Sequence, residues 1–223
     1  MSKILLRRED NPIIYNVVDK FSAKLGIKDI VVYERNSKPF SKQYTGQATS
    51  KGLVFPSVLI RDAQLYPHVF KFFAGHELIH FNHKEYGPKQ ALNSTIATFC
   101  NSVKIKGPLH KDNAKVLLQE MRANIEGAVI AELSNSEIID AQVLAQNKNN
   151  DPLIPDSYKA GYPDRNMISN FCTKYKKFDE SVARIILDDF CDKMHISKKN
   201  NLLIRLWMIF LLILFEVITL EHS

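Results

Sequence analysis

Apolar positions in the first third of the chain change period. Over 11–25, Ile13, Ile14, Val17, Val18, Phe21 and Leu25 recur at helical spacing, and Gly26 offers a stop. Ile30 to Tyr33 is a β-branched run that predicts a strand. The polar stretch 37–50, with Pro39 and Gly46, predicts turns or a hairpin, and Leu53 to Ile60 predicts a second strand that Pro56 confines to an edge or bulge. Beyond that the period is helical. Val69, Phe72, Phe73 and Ile79 place a helix over 66–83, ended by Tyr86-Gly87-Pro88. Residues 90–103 are mixed and predict a short helix leading into a loop at Gly107-Pro108. A long helix over 112–133 follows, then one from 134 to about 146, a linker or loop over 147–161, and two shorter helices near 164–174 and 181–194. A small β-containing N-terminal part followed by helices makes an α+β chain. The expected organisation is a main domain over 1–147, a helical extension over 148–200 and an apolar tail over 201–223.

The tail stands apart. Leu206 to Phe215 runs without a polar side chain, and Val217 to Leu220 nearly extends it. As a helix, 206–220 spans about 22 Å against the ~30 Å hydrocarbon core of a bilayer. Extending it to Leu202 reaches about 28 Å but brings in Arg205, which can snorkel, and Glu216, which is costly there. Two expectations stay open: a membrane anchor through 202–220, and a helix packed in a core or between copies.

Composition narrows the class. The 223 residues are 45% hydrophobic and 24% charged, an ordinary globular balance that excludes a disordered or multi-span chain. Three separated cysteines (Cys100, Cys172, Cys191) make no disulfide framework and read as idle or buried thiols in a reducing compartment. The net charge of +6 is spread along the chain, with loose groups at Lys174, Lys176, Lys177 and at Lys193, Lys198, Lys199, so solubility accounts for it better than a nucleic-acid partner. Arg7, Arg8, Glu9 and Asp10 interrupt the start before any apolar run of signal-peptide length. A cytoplasmic setting is expected, tethered to the inner membrane face if the tail is an anchor, and the Asn93-Ser94-Thr95 sequon is read as idle.

The chemistry gathers at four of the seven histidines, which lie between 68 and 83. His76-Glu77-Leu78-Ile79-His80 is an HExxH arrangement inside a helical period. On a helix, residues i and i+4 are one turn apart on one face, so two imidazoles can converge on a single ion such as Zn2+ while Glu77 stands beside the open side as a general base. A zinc site of this kind needs a third protein ligand. His83 shares the stripe but lies past the site on a straight helix. Glu120 is favoured, because its stripe continues through Ala123, Asn124, Gly127 and Ala131, small residues that let two helices approach closely. Glu126 is the rival, with Arg122 at i−4 suiting an ordinary surface ion pair.

Phe73-Ala74-Gly75-His76-Glu77-Leu78-Ile79-His80, followed by Glu120-x-x-Ala123-Asn124, resembles the gluzincin metallopeptidases, and among them the ImmA/IrrE family of bacterial and phage-borne regulatory proteases. Phe178 to Arg184 is similar, more loosely, to the start of that family's C-terminal helix. The likeness extends over roughly 11–195. Ile79 stands where the family commonly has Gly, and 91–111 would be an insertion beside the cleft. The resemblance implies a zincin-like fold, His76, His80 and Glu120 as zinc ligands, and Glu77 as catalytic base. It also implies a zinc endopeptidase acting on one regulatory protein, such as a transcriptional repressor of a mobile element. The alternatives are a non-catalytic zinc-binding module and a DNA-binding regulator using 164–195. For the oxyanion, His83, Tyr86 and His110 are all available.

Overall fold

The computed structural model describes residues 3–36, 44–86, 109–149 and 162–193. The expectations for 90–103, for the insertion 91–111 as far as 108, for the loop 147–161 from 150 onward and for the tail 201–223 lie outside these residues, while 147–149, expected in that loop, are helical. Among the described residues no helix is long and apolar enough to cross a membrane.

The architecture is α+β. In order along the chain come β1 (Lys3–Leu5), α1 (Pro12–Lys24), β2 (Val32–Arg35), β3 (Gln47–Thr49), β4 (Gly52–Pro56), α2 (Ser57–Asp62), α3 (Pro67–Asn82), α4 (Leu109–Ile130), α5 (Asn135–Asn149), α6 (Arg165–Lys174) and α7 (Glu180–Lys193). The sheet has the order β1-β2-β4-β3. β1 pairs antiparallel with β2, β2 parallel with β4, and β3 antiparallel with β4 through Ala48 opposite Leu53. β1 was not expected, because all three of its residues are exposed and it carries no buried face for a pattern to report.

α1 begins with Pro12 at its first turn and ends as expected at Gly26, whose φ of 68° lets the amide of Ile27 return to the carbonyl of Ser22. The strand expected over 53–60 is corrected: it stops at Pro56, and Ser57–Asp62 is helix. Its parallel partner β2 runs out at Arg35, opposite Pro56, so among the described residues no ladder remains for the next amides. A helical turn satisfies them locally instead, with Leu59 facing inward. α5 opens with a reciprocal cap, in which the Glu137 carboxylate accepts from the amide of Ser134 while the Ser134 hydroxyl accepts from the amide of Glu137. Asp164 caps α6 by accepting from the amide of Met167.

α3 is the central element. It lies against β3 and β4 on one side and against α4, α5 and α1 on others. Phe55 from β4 and Phe70 from α3 meet edge to face, with ring centroids 5.2 Å apart. Val18, Phe21, Leu53, Leu78, Leu117, Met121, Ile186 and Phe190 belong to the same buried cluster. Cys172 and Cys191 are buried within it as free thiols, and burial pushes the Cys172 thiol up to about 12.

Candidate metal centre

α3 and α4 touch backbone to backbone. A Cβ placed on Gly75 would drive into the carbonyl of Gly127, and one on Gly127 would come within 2.6 Å of the amide nitrogen of His76. Backbone cannot yield as a flexible side chain can, so both positions require glycine. Ala123 and Asn124 on the same stripe of α4 are buried against this contact. The close approach brings a glutamate from one helix to imidazoles on the other, as the stripe of small residues had suggested.

The ligand atoms converge. His76 and His80 stand one turn apart with their rings nearly perpendicular, and their Nε2 atoms are 3.1 Å from each other. Glu120 places Oε2 3.5 Å from His76 Nε2 and Oε1 3.7 Å from His80 Nε2. His76, His80 and Glu120 form a group whose ligand atoms all lie within 4.8 Å of one another and that could hold a metal ion. Zinc–ligand bonds of about 2.0–2.1 Å in a tetrahedron set neighbouring ligand atoms about 3.3 Å apart. The three separations observed fall around that value, and two imidazoles with one carboxylate is a donor set zinc accepts. The residues present fit the ion.

Electrostatics point the same way. Around the two imidazoles, Glu77, Glu85 and Glu120 bring three carboxylates into largely buried positions, and Arg122 brings one guanidinium. The excess of two negative charges equals the charge of one divalent cation. Buried charge without compensation is costly, so a cation suits this site. The imidazole of His80 shows the raised proton affinity that such carboxylates produce. Its burial opposes the charged ring, but Glu120 beside it and hydrogen bonds with Glu120 and Glu85 hold its pKa at about 10. Glu120, despite burial that favours its neutral form, is held far below the usual carboxylate range by His80 and His76. Glu77 is displaced upward, because burial outweighs the pull of both histidines.

Each imidazole is gripped from behind. His76 Nδ1 lies 3.1 Å from Asn124 Oδ1, and Asn124 in turn donates from Nδ2 to the carbonyl of Glu120 at 2.8 Å. His80 Nδ1 lies 3.0 Å from Glu85 Oε2. With Nδ1 donating in both cases, the two Nε2 lone pairs face the common point where the ion would sit.

Glu77 sits on the same turn of α3, buried against the chain entering β3. A Cβ on Gly46 would collide with its side chain, and the backbone amide of Ala48 serves its carboxylate. Tyr44, at the head of that segment, is anchored from two directions. Asn149 accepts from its amide at 2.7 Å and donates to its carbonyl at 3.0 Å, while the Tyr44 hydroxyl donates to Asp62 at 2.7 Å.

The rivals lie elsewhere. His83 closes α3 with Nε2 3.8 Å from Glu126 Oε2, outside the converging group, and Arg122 turns to Glu85 instead of making the expected pair with Glu126. Tyr86 stacks on Phe81 with centroids 5.7 Å apart, and the side chain of His110 is not among those described. Sequence reasoning missed Glu85 and Arg122, and it quoted Asn124 without giving it a task. Only Asn124 left a signal, four residues beyond Glu120 on the inward stripe. Comparison of the chain with protein-family models, with curated proteins and with solved structures gives no match, so the reading of this centre rests on its own geometry.

Proposed function

We propose that the protein is a zinc-dependent endopeptidase of zincin-like fold. The observation that carries this reading is the convergence of His76, His80 and Glu120 beside the buried carboxylate of Glu77. His76, His80 and Glu120 would hold the ion through Nε2, Nε2 and a carboxylate oxygen, leaving a fourth position open. Zinc bound there supplies Lewis acidity, polarising a carbonyl and lowering the pKa of a water to about 7.

Glu77, with its proton affinity raised by burial, is suited to take a proton from the attacking water and pass it to the departing amine. The Ala48 amide holds the Glu77 carboxylate in place for that transfer. β3 is an edge strand of the sheet, and an extended peptide laid along such an edge finds main-chain donors and acceptors at strand spacing. The substrate class that suits the ImmA/IrrE likeness is a single regulatory protein, such as a mobile-element repressor, rather than peptides in general.

The test pairs metal content with cleavage. Purified protein is expected to carry about one zinc per chain, and co-expressed candidate substrates should be cut by the wild type but not by Glu77→Gln. A Glu77→Gln variant that keeps its zinc and loses cleavage by at least about 10²-fold is the predicted outcome. Zinc without any Glu77-dependent cleavage would replace the peptidase with a non-catalytic zinc module.

A further inference from the structure

Just past α3, the chain closes the helix with a left-handed turn. Lys84 sits at φ 53°, the left-handed region, although it is not glycine. That conformation sends the amide of Lys84 back to the carbonyl of Phe81 at 3.1 Å and the amide of Glu85 back to the carbonyl of His80 at 2.9 Å. This is the double return of a Schellman turn, in which the residue after the left-handed one lies over the third-last helical residue. An apolar pair commonly fills those two positions. Here the pair is Glu85 and His80, with Glu85 Oε2 3.0 Å from His80 Nδ1 and both side chains at most 5% exposed. The second oxygen of Glu85 receives NH2 of Arg122 from α4, five residues before the Gly127 contact.

We infer that Glu85 is a positioning residue for the metal centre: delivered by the turn at Lys84 and neutralised by Arg122, it holds His80 through Nδ1 so that Nε2 alone faces the ion. The inference rests on the metal reading above and goes beyond it by assigning a task to residues outside the ligand set. An anionic acceptor behind an imidazole both selects the tautomer and strengthens the ring as a donor. The guanidinium of Arg122 cancels the added charge, so Glu85 can polarise His80 without unbalancing the site. His76 has only the neutral amide oxygen of Asn124 in the equivalent place. The two imidazoles are therefore unequal, and His80 is the one held by an anion.

The experiment compares Glu85→Gln with Arg122→Met in the full chain. Zinc affinity is measured by competition with a chelating indicator, and the Nδ1 proton of His80 is followed by nitrogen-edited NMR in the zinc-loaded protein. Glu85→Gln is expected to weaken zinc binding by about 10–100-fold and to move the Nδ1 proton away from its carboxylate-bonded, downfield position. Arg122→Met removes the same ion pair but leaves the carboxylate on His80, and should change zinc affinity by less than about threefold with the downfield proton kept. Zinc binding by Glu85→Gln equal to wild type, or equal losses in the two variants, would overturn the inference and leave the pair as a clamp between α3 and α4. A wild type that binds no zinc at all would instead sink the metal reading, and this inference with it. If Glu85→Gln fails to fold, the double variant Glu85→Gln/Arg122→Met removes both buried charges together, and the same criteria apply to it against Arg122→Met.

Discussion

α3 and α4 end in the same turn. In α4 the left-handed residue is Glu132, at φ 55°, and the amide of Leu133 returns to the carbonyl of Ala128 as that of Glu85 returns to His80 in α3. Glu85 and Leu133 occupy equivalent places and are equally buried, each 8% exposed. Yet one is a carboxylate hydrogen-bonded to an imidazole and the other a leucine buried in the apolar cluster. Leu133 stabilises the molecule by burying apolar surface. Glu85 contributes little net stability of that kind, because the desolvation of its charge consumes much of what its hydrogen bonds return. The same backbone device thus serves packing at one helix end and the orientation of a histidine at the other.

The comparison breaks most sharply if the end of α3 is made like that of α4. Glu85→Leu leaves Arg122 buried without its partner and should destabilise the protein by about 3–5 kcal/mol, read by denaturant unfolding. Adding Arg122→Met should recover most of that loss, because a buried ion pair replaced by apolar groups is commonly near neutral in stability. Zinc affinity should not recover. Stability that stays low in the double variant would mean that the pair is not an exchangeable one.

The reciprocal change is next in size. Leu133→Ala should cost about 2–4 kcal/mol by the loss of buried methyl groups, with the zinc affinity of the folded protein unchanged. A parallel fall in zinc affinity would show that the two helix ends are coupled through the α3–α4 contact.

A further buried carboxylate, Asp62, has no part in the metal centre and gives a control. Burial would raise its pKa, but hydrogen bonds from Tyr44 and Arg61 and the charges of Arg61 and Lys148 hold it below the usual range. A carboxyl depressed in this way contributes stability above its unfolded pKa of about 3.9, and that contribution is lost as pH falls through the folded value. Tyr44→Phe should therefore cost about 1–2 kcal/mol near neutral pH and less in acid, followed by thermal unfolding across pH 3–7. A cost that does not shrink in acid would show that the hydroxyl acts through packing alone.

The smallest change relieves the turn itself. Lys84→Gly should stabilise the protein by up to about 1 kcal/mol, since glycine enters the left-handed region without strain. Glu132→Gly should gain less, because it also removes the ion pairs to Lys20 and Lys24. A loss of stability at Lys84→Gly would mean that the Lys84 side chain does more than tolerate its conformation.

Much of this was legible in the chain. The helix over 66–83, the stop at Gly26 and the long helix carrying Glu120 follow from periodicity and from glycine, which act locally. The small-residue stripe foretold the close contact at Gly127, because only a helix meant to touch another backbone gives up side chains along one face. The second strand ran too long on paper, since Val58, Leu59 and Ile60 have strand-like character but among the described residues no strand partner beyond Arg35. Glu85 and Arg122 were invisible: with Lys84 instead of glycine at the left-handed position nothing announced the turn there, and Arg122 had a plausible local partner in Glu126.

The chain alone decides which residues can bind an ion, because HExxH on a helix sets two imidazoles one turn apart whatever surrounds them. It also decides that α3 and α4 can meet, because glycine and alanine line the faces that touch. Only the tertiary structure decides which carboxylates reach the imidazoles, since Glu85, Glu120 and Glu126 differ not in chemistry but in where a turn and a helix contact carry them. Distance governs that choice: an ion pair or a ligand bond forms over about 2–4 Å, and no local pattern in sequence fixes a separation between helices to that tolerance.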